Sequence, residues 1–223
     1  MNLRGNRRGM VWQRCVSASA KGLLQLLNGY NLVMTYPNQL SLLRIILAPV
    51  FLVLYMIEGM FYKEIAIAVF FVAVLTDWYD GVIARRYGMT SRLGVFLDPL
   101  ADKVLTSFAF LLFYIIGIMP LWMLIVIIVR DIGITLLRSL QEYKGKTLPT
   151  KFSAKVKTFI QMSYIFLILL ILLMIELFPQ SEIVKISEGF LNSDLNYVLL
   201  FGITIITLYT GLQYLFDLRK YSG

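Results

Sequence analysis

Six mostly apolar stretches follow one another along the 223-residue chain, and each has about the length that a helix needs to cross a bilayer. A soluble domain of this size could not bury so much apolar surface, since 59% of the residues are hydrophobic and only 15% are charged. The pattern predicts an all-α integral membrane protein with six transmembrane helices. The predicted spans lie near residues 40–60, 65–84, 99–118, 120–140, 155–178 and 196–216.

Basic residues are distributed unevenly between the two sides of the predicted membrane. The loops after the second and fourth spans and both chain ends are rich in lysine and arginine. The opposite loops contain Lys63 and Lys185 as their only basic residues, beside several glutamates. By the positive-inside rule, both termini face the cytoplasm, and we expect the protein in the cytoplasmic membrane. The net charge of +8 is attributed to topology and leaflet attraction, not to nucleic-acid binding.

The sequence predicts two parts, a basic N-terminal segment at residues 1–36 and one membrane domain at 37–223. Within the first part, residues 21–34 place apolar side chains near one helical face, which predicts an amphipathic helix on the membrane interface. An arginine-rich transit peptide is the alternative interpretation, because such peptides also lack acids. Asn38 follows Pro37 at the start of the first span, where it could cap the helix.

The absence of histidine and the presence of a single cysteine, Cys15, restrict the chemistry. Serine–histidine hydrolases, HExxH metalloproteases and cysteine-rich zinc sites are excluded. Any catalysis must therefore use carboxylates, lysine, arginine, hydroxyl groups or hard metal ions.

Four aspartates lie where the second and third predicted helices approach a short basic loop. At 100° per residue, one stripe of the second helix consists of Asp77, Asp80, Gly81, Ala84 and Arg85. One face of the third helix carries Gly94, Asp98 and Asp102 at positions i, i+4 and i+8. Two antiparallel helices can bring these stripes face to face, and the small residues allow a close approach by a backbone or a ligand.

Unpaired carboxylates this close would repel one another, so at least one would be protonated. Divalent cations remove the repulsion, and aspartate oxygens favour hard ions such as Mg²⁺ or Mn²⁺. Four such ligands could hold two ions roughly 3.5–4 Å apart, which suits phosphoryl or pyrophosphate chemistry. The structural alternative is that the aspartates form salt bridges with Arg85, Arg86, Arg92 and Lys103.

The whole motif resembles the signature of the CDP-alcohol phosphotransferase family at every position. It reads Asp77-x₂-Asp80-Gly81-x₂-Ala84-Arg85-x₈-Gly94-x₃-Asp98-x₃-Asp102. The resemblance covers residues 37–216, because the six predicted helices are similar to that family's fold. It implies transfer of a phosphatidyl or similar group from a CDP-linked lipid to an alcohol, with release of CMP, and it suggests a homodimer.

The resemblance also implies roles for single residues. Asp77, Asp80, Asp98 and Asp102 would be the metal ligands, and Asp102 would in addition be the general base for the attacking hydroxyl. CDP-lipid binding is implied for Asn38, Gly81, Ala84, Arg85 and Gly94.

Basic residues in the fourth and fifth spans indicate the acceptor. Arg130, Arg138, Lys155 and Lys157 would form a cradle for a dianionic phosphate. Neutral acceptors such as serine or inositol would not need this excess of charge. For Arg130, a local ion pair with Asp131 is the structural alternative.

The pattern Arg-x₇-Arg, followed by a loop and Lys-x-Lys-Thr-x₂-Gln-Met, resembles the phosphatidylglycerophosphate synthase branch of the family. The opening of the first span from Pro37 to Arg44 is also similar, whereas Ala154 stands where a glycine is common. The branch implies CDP-diacylglycerol as donor and glycerol 3-phosphate as acceptor. The acceptor's phosphate would bind the four basic residues, and its distal hydroxyl would point at Asp102.

Other functions remain open from sequence. Within the same family, the alternatives are a cardiolipin synthase that uses phosphatidylglycerol, or an enzyme that uses inositol phosphate. From other classes, a cation transporter or a structural membrane scaffold could also carry membrane aspartates.

Overall fold

The computed structural model describes the chain at residues 36–87, 92–143 and 152–222. In these three ranges the protein forms seven helices and no β-strand, which confirms the predicted all-α class. The predicted interfacial helix at residues 21–34 lies outside the described residues. The helices are α1 (Tyr36–Met56), α2 (Met60–Tyr87), α3 (Arg92–Ile115), α4 (Leu121–Tyr143), α5 (Phe152–Leu177), α6 (Glu182–Leu191) and α7 (Asp194–Ser222).

Each predicted span overlaps one of the six long helices. Among the described residues, three helices are long and apolar enough to cross a membrane, and the qualifying segments are Gln39–Met56, Phe152–Leu177 and Asp194–Arg219. The other three long helices, α2, α3 and α4, carry charged residues inside their apolar sequence. Several of those charges, including Asp80, Asp98 and Arg130, belong to the motifs that the sequence predicts to be functional.

Two local expectations need correction. Helix α1 begins at Tyr36, so Asn38 lies inside its first turn and is not the residue that caps it. The sequence also predicts a polar connection at residues 179–195 between the last two spans, but this stretch contains helix α6. Ser181 caps this helix by accepting a hydrogen bond from the Ile183 amide at 3.3 Å. Phe190 and Leu191 at its end pack against the core.

The core is built from aromatic and aliphatic side chains where α1, α2, α3 and α5 meet. Phe51 of α1 and Phe70 of α2 are fully buried, with ring centroids 5.2 Å apart. Phe110 and Phe113 of α3 are also fully buried and contact each other edge to face. Helix α3 packs extensively against α1, and this packing positions the acidic face of α3.

Large apolar side chains also cover the outside of the helices. Phe159 is 73% exposed, Phe216 is 70% exposed and Val129 is 65% exposed. A water-soluble monomer rarely exposes so extensive an apolar surface, whereas lipid tails are a suitable solvent for it. The outer surface therefore agrees with the apolar composition.

Helices α4 and α5 do not pack directly on each other. Helix α4 packs against α3 and α7, and α5 packs against α2, α3 and α7. Among the described residues, no Cα atom of α4 lies within 8 Å of a Cα atom of α5. Long polar side chains bridge this gap, which lies beside the acidic face of α3.

Candidate active site

The backbone carrying the aspartate motif is helical on both sides of the short loop. Asp77, Asp80 and Gly81 lie in the last turns of α2, which ends at Tyr87. Asp98 and Asp102 lie one turn apart on α3, which begins at Arg92. The helical register assumed for the two predicted stripes is therefore present in the backbone.

Asp98 is held by a residue of the first helix. The hydroxyl of Ser41, which is fully buried on α1, donates a short hydrogen bond to Oδ1 of Asp98. Ser41 thus orients one of the predicted metal ligands, although the motif itself does not include it.

Asp102 is partly exposed and paired with its neighbour in sequence. Its Oδ2 atom lies 3.0 Å from Nζ of Lys103, and the Asp102 side chain is 29% exposed. The same ammonium also interacts electrostatically with Asp131 of α4. Lys103 therefore connects the acidic face of α3 to the charged residues that bridge α4 and α5.

Those bridging residues form the Asp131 cluster, which consists of Arg130, Asp131, Lys157 and Thr210. The side chains of Asp131 and Lys157 are 2% and 1% exposed, and Nζ of Lys157 lies 2.5 and 2.6 Å from the two carboxylate oxygens. Arg130 donates to Asp131 at 3.0 Å and to the Thr210 hydroxyl at 2.8 Å. One buried acid thus holds two cations from different helices.

Helix α7 provides space for the arginine of this cluster. Gly211 lies directly against Arg130, because a Cβ atom at this position would be 2.9 Å from Cγ and 3.3 Å from Nε of the arginine. Elsewhere on the same helix, a Cβ atom added at Gly202 would meet nothing within 4 Å. Gly211 is therefore needed for close packing, and Gly202 is not.

The structure brings together two of the four basic residues predicted for the acceptor. Arg130 and Lys157 meet on Asp131, whereas Lys155 is exposed on another face of α5, since two residues correspond to about 200° of helix. Arg138 lies two turns beyond Arg130 on α4 and is half-buried. The ion pair between Arg130 and Asp131 that was the structural alternative is present.

Asp131 is the residue that sequence reasoning valued too little. The sequence pattern indicates only an ion pair between Asp131 and its neighbour Arg130. In the structure, the main contact of Asp131 is Lys157, 26 residues further along the chain. Its position within an apolar helix was the available signal, because an acid there needs a partner from another helix.

The residues present fit a site for hard cations. Asp98 and Asp102 place carboxylates on consecutive turns of α3, and a chain without histidine offers oxygen ligands to such ions. Among the described side chains, no group of three acidic, histidine or cysteine residues forms a complete metal site. The side chains of Asp77, Asp80, Gly81, Ala84, Arg85, Gly94 and Asn38 lie outside the described part of the structure.

Comparison with known proteins supports the motif. The family model for CDP-alcohol phosphatidyltransferase matches residues 34–208. A Mycobacterium tuberculosis protein named probable phosphatidylglycerophosphate synthase is 38% identical over 127 residues, which are 56% of this chain and 60% of that relative. The chain thus spans less than two thirds of this relative's length.

Two further relatives carry a more specific name, CDP-diacylglycerol--glycerol-3-phosphate 3-phosphatidyltransferase. The Bacillus subtilis protein is 34% identical over 161 residues, covering 66% of this chain and 83% of the relative. The Salmonella typhimurium protein is 36% identical over 132 residues, covering 56% and 71%. The family that the aspartate motif resembles and the branch that the Arg-x₇-Arg and Lys-x-Lys pattern resembles are both confirmed.

Proposed function

Because the chain belongs to the CDP-alcohol phosphatidyltransferase family, we propose that it transfers the phosphatidyl group of CDP-diacylglycerol to glycerol 3-phosphate, releasing CMP. The names of the relatives in Bacillus subtilis and Salmonella typhimurium support this reaction. The observation that supports glycerol 3-phosphate as the acceptor is the Asp131 cluster. There Arg130 and Lys157 bring two positive charges against one acid. A phosphate dianion can take up this excess of charge.

The reaction needs a base beside the hydroxyl group of the alcohol substrate. The distal hydroxyl oxygen of glycerol 3-phosphate forms a bond to the phosphorus of the phosphatidyl group, and the bond between that phosphorus and the CMP oxygen breaks. Asp102 takes the hydroxyl proton as the new bond forms, while Arg130 and Lys157 hold the acceptor's phosphate. The partly exposed position of Asp102, next to Lys103, is accessible to a substrate entering from the α3 side.

Metal ions and the nucleotide complete the proposed site. Asp77, Asp80, Asp98 and Asp102 would hold two Mg²⁺ or Mn²⁺ ions, which when bound neutralise the pyrophosphate and stabilise the leaving group. Gly81, Ala84 and Gly94 would leave room for the cytidine nucleotide, Arg85 would bind its phosphates, and Asn38 would contribute from α1.

The membrane arrangement that goes with this function has six spanning helices. Family membership and apolar helices make the chain a multi-pass membrane protein. We assign α1, α2, α3, α4, α5 and α7 as the spans, with both termini and the acidic motif facing the cytoplasm. An interfacial helix within residues 1–36, a membrane domain at 37–223 and a homodimer complete this proposal.

Turnover with a panel of acceptors tests the substrate. Purified protein in CDP-diacylglycerol micelles with a divalent cation should form labelled phosphatidylglycerophosphate from glycerol 3-phosphate, with one CMP per product. Serine, inositol, inositol phosphate and phosphatidylglycerol should give no comparable product. Product from phosphatidylglycerol in place of glycerol 3-phosphate would make the protein a cardiolipin synthase, and ion flux without CMP release would make it a transporter.

Crowding of Arg130 should weaken acceptor binding. In the Gly211→Ala variant, the new methyl group displaces the arginine from Thr210, because its Cβ would lie 2.9 Å from Cγ. We expect the KM for glycerol 3-phosphate to rise roughly tenfold, as for the loss of one hydrogen bond to a charged group. Gly202→Ala is the matched control and should leave KM unchanged. Equal effects of the two substitutions would show that Arg130 does not bind the acceptor.

A further inference from the structure

Gln161 of α5 carries a buried side-chain amide that has no role in the proposed reaction. Its side chain is 2% exposed, and neither Nε2 nor Oε1 has a hydrogen-bond partner among the residues that the structure describes. Nearly all buried polar groups in proteins are hydrogen-bonded, because an unpaired one loses its water without compensation. An amide with both ends unsatisfied therefore points to a ligand that binds there.

The location of Gln161 relates this amide to the Asp131 cluster. Gln161 lies one turn after Lys157 on the buried face of α5, and Tyr164 follows at the next turn. Lys157 is paired with Asp131, and Tyr164 donates to Asn196 at 2.7 Å. Gln161 is thus unsatisfied between two satisfied polar neighbours on the same helix face.

A second unpaired polar atom lies on the neighbouring helix. The hydroxyl of Thr207 on α7 is fully buried and has no hydrogen-bond partner within the described ranges. Thr207 precedes by one turn Thr210, which accepts the hydrogen bond of Arg130. Helices α5 and α7 pack together, and each carries one unpaired group at one helical turn from a residue of the Asp131 cluster.

We infer that Gln161 binds the middle hydroxyl of the acceptor, with Thr207 as a second polar contact, and so selects a vicinal hydroxyl beside the phosphate. The inference rests on the proposed function. A secondary hydroxyl both donates and accepts, which matches an amide with a free donor and a free acceptor. Side chains one helical turn apart have Cβ atoms about 5–6 Å apart, a separation that suits a phosphate on Lys157 and a hydroxyl on Gln161.

The test compares two acceptors that differ only in this hydroxyl. Glycerol 3-phosphate and 3-hydroxypropyl phosphate carry the same phosphate and the same primary hydroxyl. For the wild-type protein, kcat/KM should be at least about tenfold higher with glycerol 3-phosphate, because a site built for a hydroxyl rejects the analogue that lacks it. Gln161→Met keeps the volume and should lower kcat/KM about tenfold for glycerol 3-phosphate but little for the analogue.

Thr207→Val is the second variant, and it should lower kcat/KM selectively for glycerol 3-phosphate, by less than Gln161→Met does. This variant keeps the inference testable if Gln161→Met folds poorly. Equal losses of kcat/KM on both acceptors would overturn the inference, because the two residues would then be structural. Unchanged kcat/KM on both acceptors would also overturn it. A wild-type protein that forms product from neither acceptor would overturn the proposed function and this inference together. Selective loss with intact use of the analogue supports both.

Discussion

Replacing Asp102 by asparagine is expected to lower kcat with glycerol 3-phosphate by about 10²–10⁴-fold, the range that a positioned general base contributes. Asparagine has nearly the same shape but cannot take up the hydroxyl proton. Binding of CDP-diacylglycerol should remain largely intact, because the other three aspartates and the nucleotide contacts are unchanged. Turnover is measured as CMP release, and lipid binding is measured separately by equilibrium titration in detergent micelles.

The matched control for Asp102→Asn is Glu182→Gln. Glu182 lies on α6 with its side chain 81% exposed, where it pairs with the similarly exposed Lys185. This substitution also removes one carboxylate charge, yet kcat should not change. If Asp102→Asn loses lipid binding in parallel with turnover, Asp102 acts only as a metal ligand or a structural residue and is not the base.

The second large effect is expected at Asp131. Asp131→Asn leaves Lys157 and Arg130 buried without their acid, and removing one partner of a buried ion pair costs about 3–5 kcal/mol of stability. Asp131→Asn combined with Lys157→Met removes the unpaired ammonium and should recover most of this loss. The double variant should still fail to use glycerol 3-phosphate, since half of the phosphate cradle is gone.

Unfolding in mixed detergent micelles and the KM for glycerol 3-phosphate provide the two readouts for this cluster. Lys185→Met is the control, because its exposed pair with Glu182 should contribute almost nothing to stability. Wild-type stability in Asp131→Asn would show that the buried pair is dispensable. A double variant that uses glycerol 3-phosphate normally would remove Lys157 from the acceptor site.

The long helices were predictable because bilayer thickness imposes a length and an apolar composition that are visible in any window of the sequence. Helix α6 was not predictable, because its ten residues mix Glu182, Lys185 and Glu188 with apolar residues and so resemble a polar connection. Its helical form depends on the Ser181 cap and on packing of Phe190 and Leu191 against the core. The Ser181 cap is a local contact, whereas the packing of Phe190 and Leu191 is a tertiary contact that no local pattern contains.

The site shows the same division. The aspartate motif was predictable because its residues lie close together in the sequence, between Asp77 and Asp102, and keep helical spacing. The bond from Ser41 to Asp98 joins residues 57 apart, and the bond from Arg130 to Thr210 joins residues 80 apart. Such pairings depend on how helices dock, so sequence reasoning grouped Lys155 with Lys157 although only Lys157 is buried.

We propose that aspartates of α2 and α3 hold two hard cations. Anomalous diffraction from crystals of the full chain soaked with Mn²⁺ tests it most directly. We expect two peaks roughly 3.5–4 Å apart, bounded by Asp77, Asp80, Asp98 and Asp102. A map without manganese there, in which each aspartate is neutralised by a basic neighbour such as Arg92 or Lys103, would contradict the proposed two-metal site.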